Sequence, residues 1–355
     1  MDLLRAYRSS GADLPFGNPL AAHDVAMEGY FWRITDAAAG RVAIALIGVN
    51  RGPRGPWATL GLATHGGNPF LAVAAHDGAE AHPHRLGARA GRAFHGDHRS
   101  LHVRLDGGAL DAVIDAPVLW PLRRWGGSSV FHAVPGLNQY WHPWLLGGRA
   151  SGRAVVEGEE WAFTDAQVYG EKNWGRGGFP ESWWWGQAQA FDEPAACVAF
   201  AGGQVYAGPL RTEVTGLVVR LPDGVVVRLG NPVVSPVAAR VDDTTWRLRG
   251  HGHGWEIDVD AEAPLHAAHV LPVPLPHAHR NTAGAIEHLA GRLRTEVRRR
   301  GRVVWRGESG LAGLEHGGLG RAEAELRRRG APPGEVGAPP GEVGSPPGEV
   351  DAPPG

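Results

Sequence analysis

GLVVRLPDGVVVRLG, residues 216–230, sets Asp223-Gly224 between two short runs rich in valine and leucine. Paired apolar runs around Asp-Gly are the strongest short-range hairpin signal, because glycine accepts the positive φ of a tight turn. The same grammar recurs along the chain. LHVRLDGGALDAVIDA (101–116) turns at Asp106-Gly107, and TWRLRGHGHGWEIDVDA (245–261) turns at Gly252-His253-Gly254. VAIALIGV (42–49) is a continuous apolar run of strand length. Long amphipathic helices are scarce. NTAGAIEHLAGRLRTEVRRRG (281–301) is the best helix candidate, yet its second half alternates and reads equally as a strand pair. The expected class is all-β, with a strand count that favours barrels or sandwiches.

Composition narrows the function. The 355 residues carry 35 Lys+Arg against 37 Asp+Glu, a formal charge of −2, which excludes a strongly basic nucleic-acid-binding protein. A single cysteine, Cys197, excludes an intramolecular disulfide framework and any cysteine-rich zinc module. The histidines, including the His251/His253 and His277/His279 pairs, match no familiar ligand spacing, so no metal is expected. The start, MDLLRAYRSSGADLP, has no signal-like apolar stretch, and no run reaches membrane-spanning length. The expectation is a soluble cytoplasmic chain. Arg298-Arg299-Arg300-Gly301-Arg302 reads as a solvated strand edge or as a contact for anionic lipid head groups at a membrane surface. Two oddities remain. There are 14 Trp against 5 Tyr, and Lys172 is the only lysine.

Two matches at one offset of 153 suggest an internal repeat. Glu28-Gly29-Tyr30-Phe31-Trp32 aligns with Glu181-Ser182-Trp183-Trp184-Trp185, and Val42–Val49 aligns with Ala195–Gly202. This divides the chain into an N-terminal barrel over 1–160, a C-terminal barrel over 161–320 and a tail over 321–355. RAEAELRRRG (321–330) reads as a short frayed helix. The APPGEVG repeats from 331 onward cannot bury a core, and a disordered tail is expected there.

The densest segment is DAQVYGEKNWGRGGFPESWWW, 165–185, which holds four of the 14 Trp. On a strand Trp183 and Trp185 share one face and Trp184 takes the other. Taken alone, tryptophans filling a core and a surface pair Glu171–Lys172 explain it as well as a site does. The segment resembles the signature of the tocopherol cyclase family, in which an EKNWGGGFP-like string precedes a W-x-W-type strand. MEGYFWRI (27–34), HPWLLGGRASG (142–152), WAFTDA (161–166) and GLAGLEHGG (310–318) resemble other family stretches in the same order. The string here is one residue longer, with Arg176 inserted, and Glu181-Ser182 stands where plant-type members have basic residues; both departures bear on the substrate.

The resemblance implies two consecutive lipocalin-like β-barrels, as in carotenoid-hydratase-like and AttH-like relatives. It implies an intramolecular lyase of the isomerase class. Such an enzyme closes a chromanol ring by adding the phenol of a prenylated hydroquinone to its chain double bond, without a cofactor. That chemistry needs an acid to protonate an alkene, aromatic faces to tolerate a carbocation, and exclusion of water. The candidate acids, in order, are Glu171, Asp165 and Glu28, with Glu181 behind them. Trp32, Trp174, Trp183 and Trp185 are the candidate cation-stabilising faces, and Tyr169 and Phe179 further substrate contacts. Lys172 and Asn173 would orient the oxygens. A structural ion pair competes for Glu171 and Lys172, and fixing a strand start competes for Glu28. Acid-catalysed hydration or isomerisation of an isoprenoid, and non-catalytic carriage of a hydrophobic ligand, stay open as alternatives.

Overall fold

Asp106-Gly107 and Asp223-Gly224 do turn hairpins, and the apolar runs around them form two sheets, in a computed structural model that describes residues 3–176, 179–334 and 336. The first sheet contains β1 (Met27–Asp36), β2 (Arg41–Gly52), β3 (Gly55–His65), β4 (Phe70–Asp77), β5 (Ala79–Ala81), β6 (Ala88–Ala90), β7 (Phe94–Gly96), β8 (Ser100–Leu105), β9 (Gly108–Asp115), β10 (Tyr140–Leu145), β11 (Arg149–Val156) and β12 (Glu159–Gly175). The second contains β13 (Trp183–Ala188), β14 (Cys197–Ala207), β15 (Leu210–Arg220), β16 (Val226–Leu229), β17 (Val237–Val241), β18 (Thr245–Gly252), β19 (Trp255–Glu262), β20 (His269–Leu275), β21 (Arg280–Arg299) and β22 (Arg302–Gly317).

The spatial orders are β4-β3-β2-β1-β12-β11-β9-β8-β7-β6-β5 and β16-β15-β14-β13-β22-β21-β19-β18-β17, with β10 on β12 and β20 on β21. Both curl until their ends approach. β5 touches β2 and β3 in the first, and β17 touches β15 in the second. Curling disposes of exposed edges. The interiors are filled by side chains, around Trp32, Leu60 and Phe94 in one and Phe200, Trp246 and Val259 in the other.

The repeat at offset 153 has a structural counterpart. β1 and β13 each open their sheet and each lie between its second strand and its last. The first sheet runs further than residue 160, however. β12 pairs with β1 from Met27↔Gly175 to Thr35↔Gln167, so the string EKNW belongs to the first sheet, and the crossover falls between Gly175 and Trp183. The helix candidate at 281–301 is strand β21 as far as Arg299 and then the turn Arg300-Gly301 into its partner β22. Residues 319–329 form a packed helix α1 (Leu319–Arg329), not a frayed tail: Ala322 and Leu326 are buried against Val270 and Ala283, and Gly330 ends it at φ +70°. Most of the repeats expected to be disordered lie outside the described residues. No helix among the described residues is long and apolar enough to cross a membrane.

The barrels meet on their outer faces. Val42 and Ile44 of β2 pack with Trp183, Leu271, Val273 and Leu289. Tyr169 and Phe31 pack with Trp185, Ala199 and Val218. Strands at this seam are therefore buried on both faces, and all of β13 is buried. This explains the near-continuous apolar or aromatic sequence of β2 and β13, since two-sided burial erases the polar half of the alternation.

Candidate active site

The seam is not filled completely. A cavity of about 210 Å³ lies in it, walled by β1, β2, β12 and β10 on one side and by β13, β20, β21 and β22 on the other. Strand parity decides which side chains reach it. On β12, Glu171 and Asn173 line the cavity with Tyr169 on the same face, while Gly170, Lys172 and Trp174 turn the other way. Phe31 stands opposite Glu171 in the β1 register and Gly29 opposite Asn173. Gly29 is needed there: a Cβ would lie 2.0 Å from Asn173 Oδ1, so the bare backbone lets the amide lie across the strand. Trp183 and Trp185 enter the cavity from β13, and Trp184 donates its Nε1–H inside the second barrel to Thr215 Oγ1 at 3.2 Å.

Three carboxyl groups converge on this apolar space, the buried Glu171 and Glu287 and the half-buried Glu315. Glu171 Oε2 accepts from Trp141 Nε1 at 2.8 Å, Tyr169 OH at 2.7 Å and Trp185 Nε1 at 2.7 Å. Burial raises the pKa of Glu171, and the three donors, which favour the anion, offset part of that. Glu287 and Glu315 are direct cross-strand partners on β21 and β22. They hydrogen-bond to each other, and Trp183 Nε1 donates to Glu315 Oε1. Burial, together with the neighbouring carboxylates, pushes Glu287 well above the usual range. Burial pushes Glu315 up to about 7, against the donors that favour its anion. Glu287 is thus the acid of the pair, giving its proton to Glu315, and its Oε1 has no partner.

Of the residues singled out from sequence, the structure brings Glu171, Asn173, Phe179, Trp183 and Trp185 to the cavity, with Tyr169 holding Glu171 from beneath. The others go elsewhere. Asp165 sits at φ +63°, with its side chain 64% exposed and paired to Arg149 at 3.0 Å. Glu181 is exposed. Glu28 and Lys172 form a fully buried ion pair of 2.8 Å on the opposite face of the sheet. Burial alone would raise Glu28; Lys172, His23 and Arg51 outweigh it and hold the carboxyl well below its ordinary range, so it has no proton to donate. Trp32 fills the first barrel, its Nε1 bonded to Asp97 O at 3.2 Å. Trp174 stacks on His23 and Tyr140 and donates to Gly11 O at 2.7 Å. Asp165→Asn is accordingly expected to leave turnover within about twofold and stability within about 0.5 kcal/mol, checked by steady-state rates and thermal melts.

Sequence reasoning missed Glu287, Glu315 and Trp141. The available signal was a lone glutamate inside each of two apolar stretches, AGAIEHLAG (283–291) and GLAGLEHGG (310–318). A buried strand tolerates such a residue only with partners, and pairing β21 with β22 supplies them.

Comparison with known proteins follows this geometry. The family described as tocopherol cyclase-like matches residues 128–318. A probable chloroplastic tocopherol cyclase from Oryza sativa subsp. japonica is 38% identical over 73 residues, which are 20% of this chain and 15% of the rice protein. The chain thus matches only a small part of the length of that curated relative. Among solved structures, kievitone hydratase from Nectria haematococca superposes with a TM-score of 0.51 at 13% identity, covering 85% of this chain and 91% of that one. CghA in complex with Sch210972 gives 0.54 at 12% identity, covering 82% and 88%. At such identities the likeness is one of fold, and both barrels are lipocalin-like.

Proposed function

The chain belongs to the tocopherol cyclase-like family, and from that premise we propose that it catalyses acid-assisted ring closure of a prenylated hydroquinone. The observation that carries this reading is the split environment of the three cavity carboxyls. Glu287 and Glu315 are both held as carboxylic acids below about pH 7 in a desolvated site, and Glu171 is an acceptor fixed by three donors. Titratable groups whose surroundings push their pKa values apart mark an acid and a base. The Glu287–Glu315 pair delivers its proton to the less substituted alkene carbon. The adjoining tertiary centre takes the positive charge, facing Trp183, Trp185 and Phe31, whose rings attract cations. The phenol oxygen bonds to that centre, and its proton passes to Glu171. No electrons are exchanged and the mass of the ligand is unchanged. A volume of about 210 Å³ is below the roughly 300–1,000 Å³ of ordinary ligand pockets. It suits the reacting head of such a ligand, with the rest of an isoprenoid chain leaving through the mouth.

Incubation with prenylated hydroquinones followed by mass analysis tests the proposal. Ring closure gives a product of the same mass with a new retention time. Addition of one water would assign a hydratase instead, and unchanged ligand would assign a carrier. The pH dependence has a definite sign. The acid must be protonated, so kcat/KM is expected to be flat at mildly acid pH and to fall as pH rises through the Glu315 value of about 7. A profile that instead rises through neutrality would overturn this assignment of the acid.

A further inference from the structure

Arg33 belongs to none of the roles above. It is fully buried, on the β1 face shared by Gly29 and Phe31, and so points into the seam between the barrels. Its Nε donates to Gln187 Oε1 at 2.9 Å, and its Nη2 to Leu289 O at 2.8 Å and Leu311 O at 2.5 Å. One guanidinium from the first barrel thereby holds β13, β21 and β22 of the second. All three acceptors are neutral, so the positive charge is not cancelled by a contact ion pair. Nη1 is buried with no partner, and in the same seam Glu287 Oε1 is buried with no partner. Glu287 lies two residues before Leu289, whose carbonyl Arg33 holds.

A buried charge carries a large desolvation cost, and a clamp between strands could be built from neutral amides. Arginine keeps its charge here: burial lowers its pKa only to about 10, with Glu287 acting in the opposite direction. Three carboxyl groups in one water-poor seam cannot all ionise, since like charges there repel strongly. One fixed cation balances one carboxylate.

We infer that Arg33 is a positioning residue, a fixed counter-charge that keeps the cavity at one carboxylate and two carboxylic acids and compensates the negative charge left when the Glu287–Glu315 pair gives up its proton. This rests on the reading of that pair as the general acid. The groups facing the pair are few. β12 contributes Glu171, β1 contributes Arg33, and β13 contributes Trp183, which donates to Glu315, and Trp185, the register partner of Glu315. β20 contributes Leu271 and Val273 and, as the direct register partner of Glu287, the buried imidazole of His269, whose pKa burial lowers to about 3 so that it carries no charge. Beyond Arg33, the pKa of His65 on β3 is lowered by partial burial and by the guanidinium. Cys197 on β14, behind Gln187, is a thiol pushed up to about 12 by burial. None of these replaces the positive charge of Arg33.

The test titrates ligand-free protein by infrared spectroscopy, following the carboxylic-acid carbonyl band that Glu287→Gln removes. Arg33→Gln is expected to move the ionisation of the cluster up by about one pH unit or more, a tenfold change in proton affinity. The alkaline limb of turnover is expected to move the same way. Arg33→Lys keeps the charge but loses the planar fork, and is expected to restore the midpoint that Gln moves. A folded Arg33→Gln protein with a wild-type midpoint would reduce Arg33 to a clamp. Where Arg33→Gln alone does not fold, the Arg33→Gln/Glu287→Gln protein decides: recovered folding supports charge compensation, and continued failure overturns it. The titration uses no substrate. A shifted midpoint in a protein that cyclises nothing would sink the proposed function while leaving the inference about Arg33 standing.

Discussion

Glu287→Gln is expected to lower turnover by about 10²–10⁴-fold, the usual contribution of a positioned general acid, while ligand affinity stays within a few-fold. Glutamine matches glutamate in shape and its amide N–H can still donate to Glu315, so the cavity wall is kept and only the transferable proton is lost. Ligand binding is measurable separately, because Trp141, Trp183 and Trp185 line the cavity and their fluorescence reports occupancy. The same variant carries a stability signature with a fixed sign. Glu287 and Glu315 have folded-state pKa values above their unfolded ones. Their protonated forms therefore favour the fold at low pH, and that contribution disappears as pH rises through the folded-state values. The wild-type melting temperature should fall as pH rises from the unfolded carboxyl value of 4.5 towards the Glu315 value of about 7, and the Glu315 contribution should level off above that. Glu287→Gln removes one titrating partner and should flatten that fall. Loss of turnover with a flattened profile identifies the pair as the proton source. Turnover within tenfold of wild type would move the acid to another group, Glu171 first. Glu171→Gln is expected to impair turnover as well, through the step that accepts the phenol proton.

The all-β class and the hairpins at Asp106-Gly107 and Asp223-Gly224 were legible because turn chemistry is local and those glycines adopt φ +69° and +88°. β21 was ambiguous for a physical reason. Its first half, Ala283 to Leu289, is buried at every position, so no alternation remains to separate strand from helix. The EKNW string lies on a strand that lines the cavity, but a string does not carry its parity. Period-2 geometry sends Glu171 and Asn173 into the cavity and Lys172 and Trp174 away from it. Glu287 and Glu315 are 28 positions apart in sequence, and only the register of β21 on β22 makes them neighbours. The cavity itself lies between barrels, where repeat units meet, and a pattern read within one unit does not reach it. Asp165, second among the candidate acids, sits on the exposed half of a strand whose far end is buried.

Lys172→Met is expected to destabilise the fold by about 3 kcal/mol, because it takes from the buried Glu28 carboxylate one of two cationic partners and leaves only Arg51 at 3.0 Å. That corresponds to a fall on the order of 10 °C in melting temperature for a unit of this size. The ammonium donates to Glu28 Oε2 at 2.8 Å, Ala21 O at 2.9 Å and His23 Nδ1 at 3.0 Å, which uses all three protons. The Tyr30 and Trp174 rings lie 5.2 and 4.9 Å from it. Arginine cannot reproduce this, because its planar fork is larger and has five donors to satisfy in a fully buried space. Lys172→Arg is therefore expected to lower stability too, and this accounts for one lysine among 35 basic residues. The pH dependence runs opposite to that of the cavity acids. Glu28 has a depressed folded-state pKa, so its contribution is present above its unfolded value near 4.5 and is lost as pH falls through the lower folded value. In Lys172→Met that acid-side loss should shrink, and adding Glu28→Gln should recover part of the stability by removing a buried charge that Arg51 alone then compensates. Turnover per folded molecule should stay near wild type in all three proteins, because Glu28 and Lys172 face away from the cavity. Melting curves and active-site titration on the same samples decide the matter. A Lys172→Arg protein that melts like wild type but turns over far more slowly would show that this ammonium serves the reaction and not the fold.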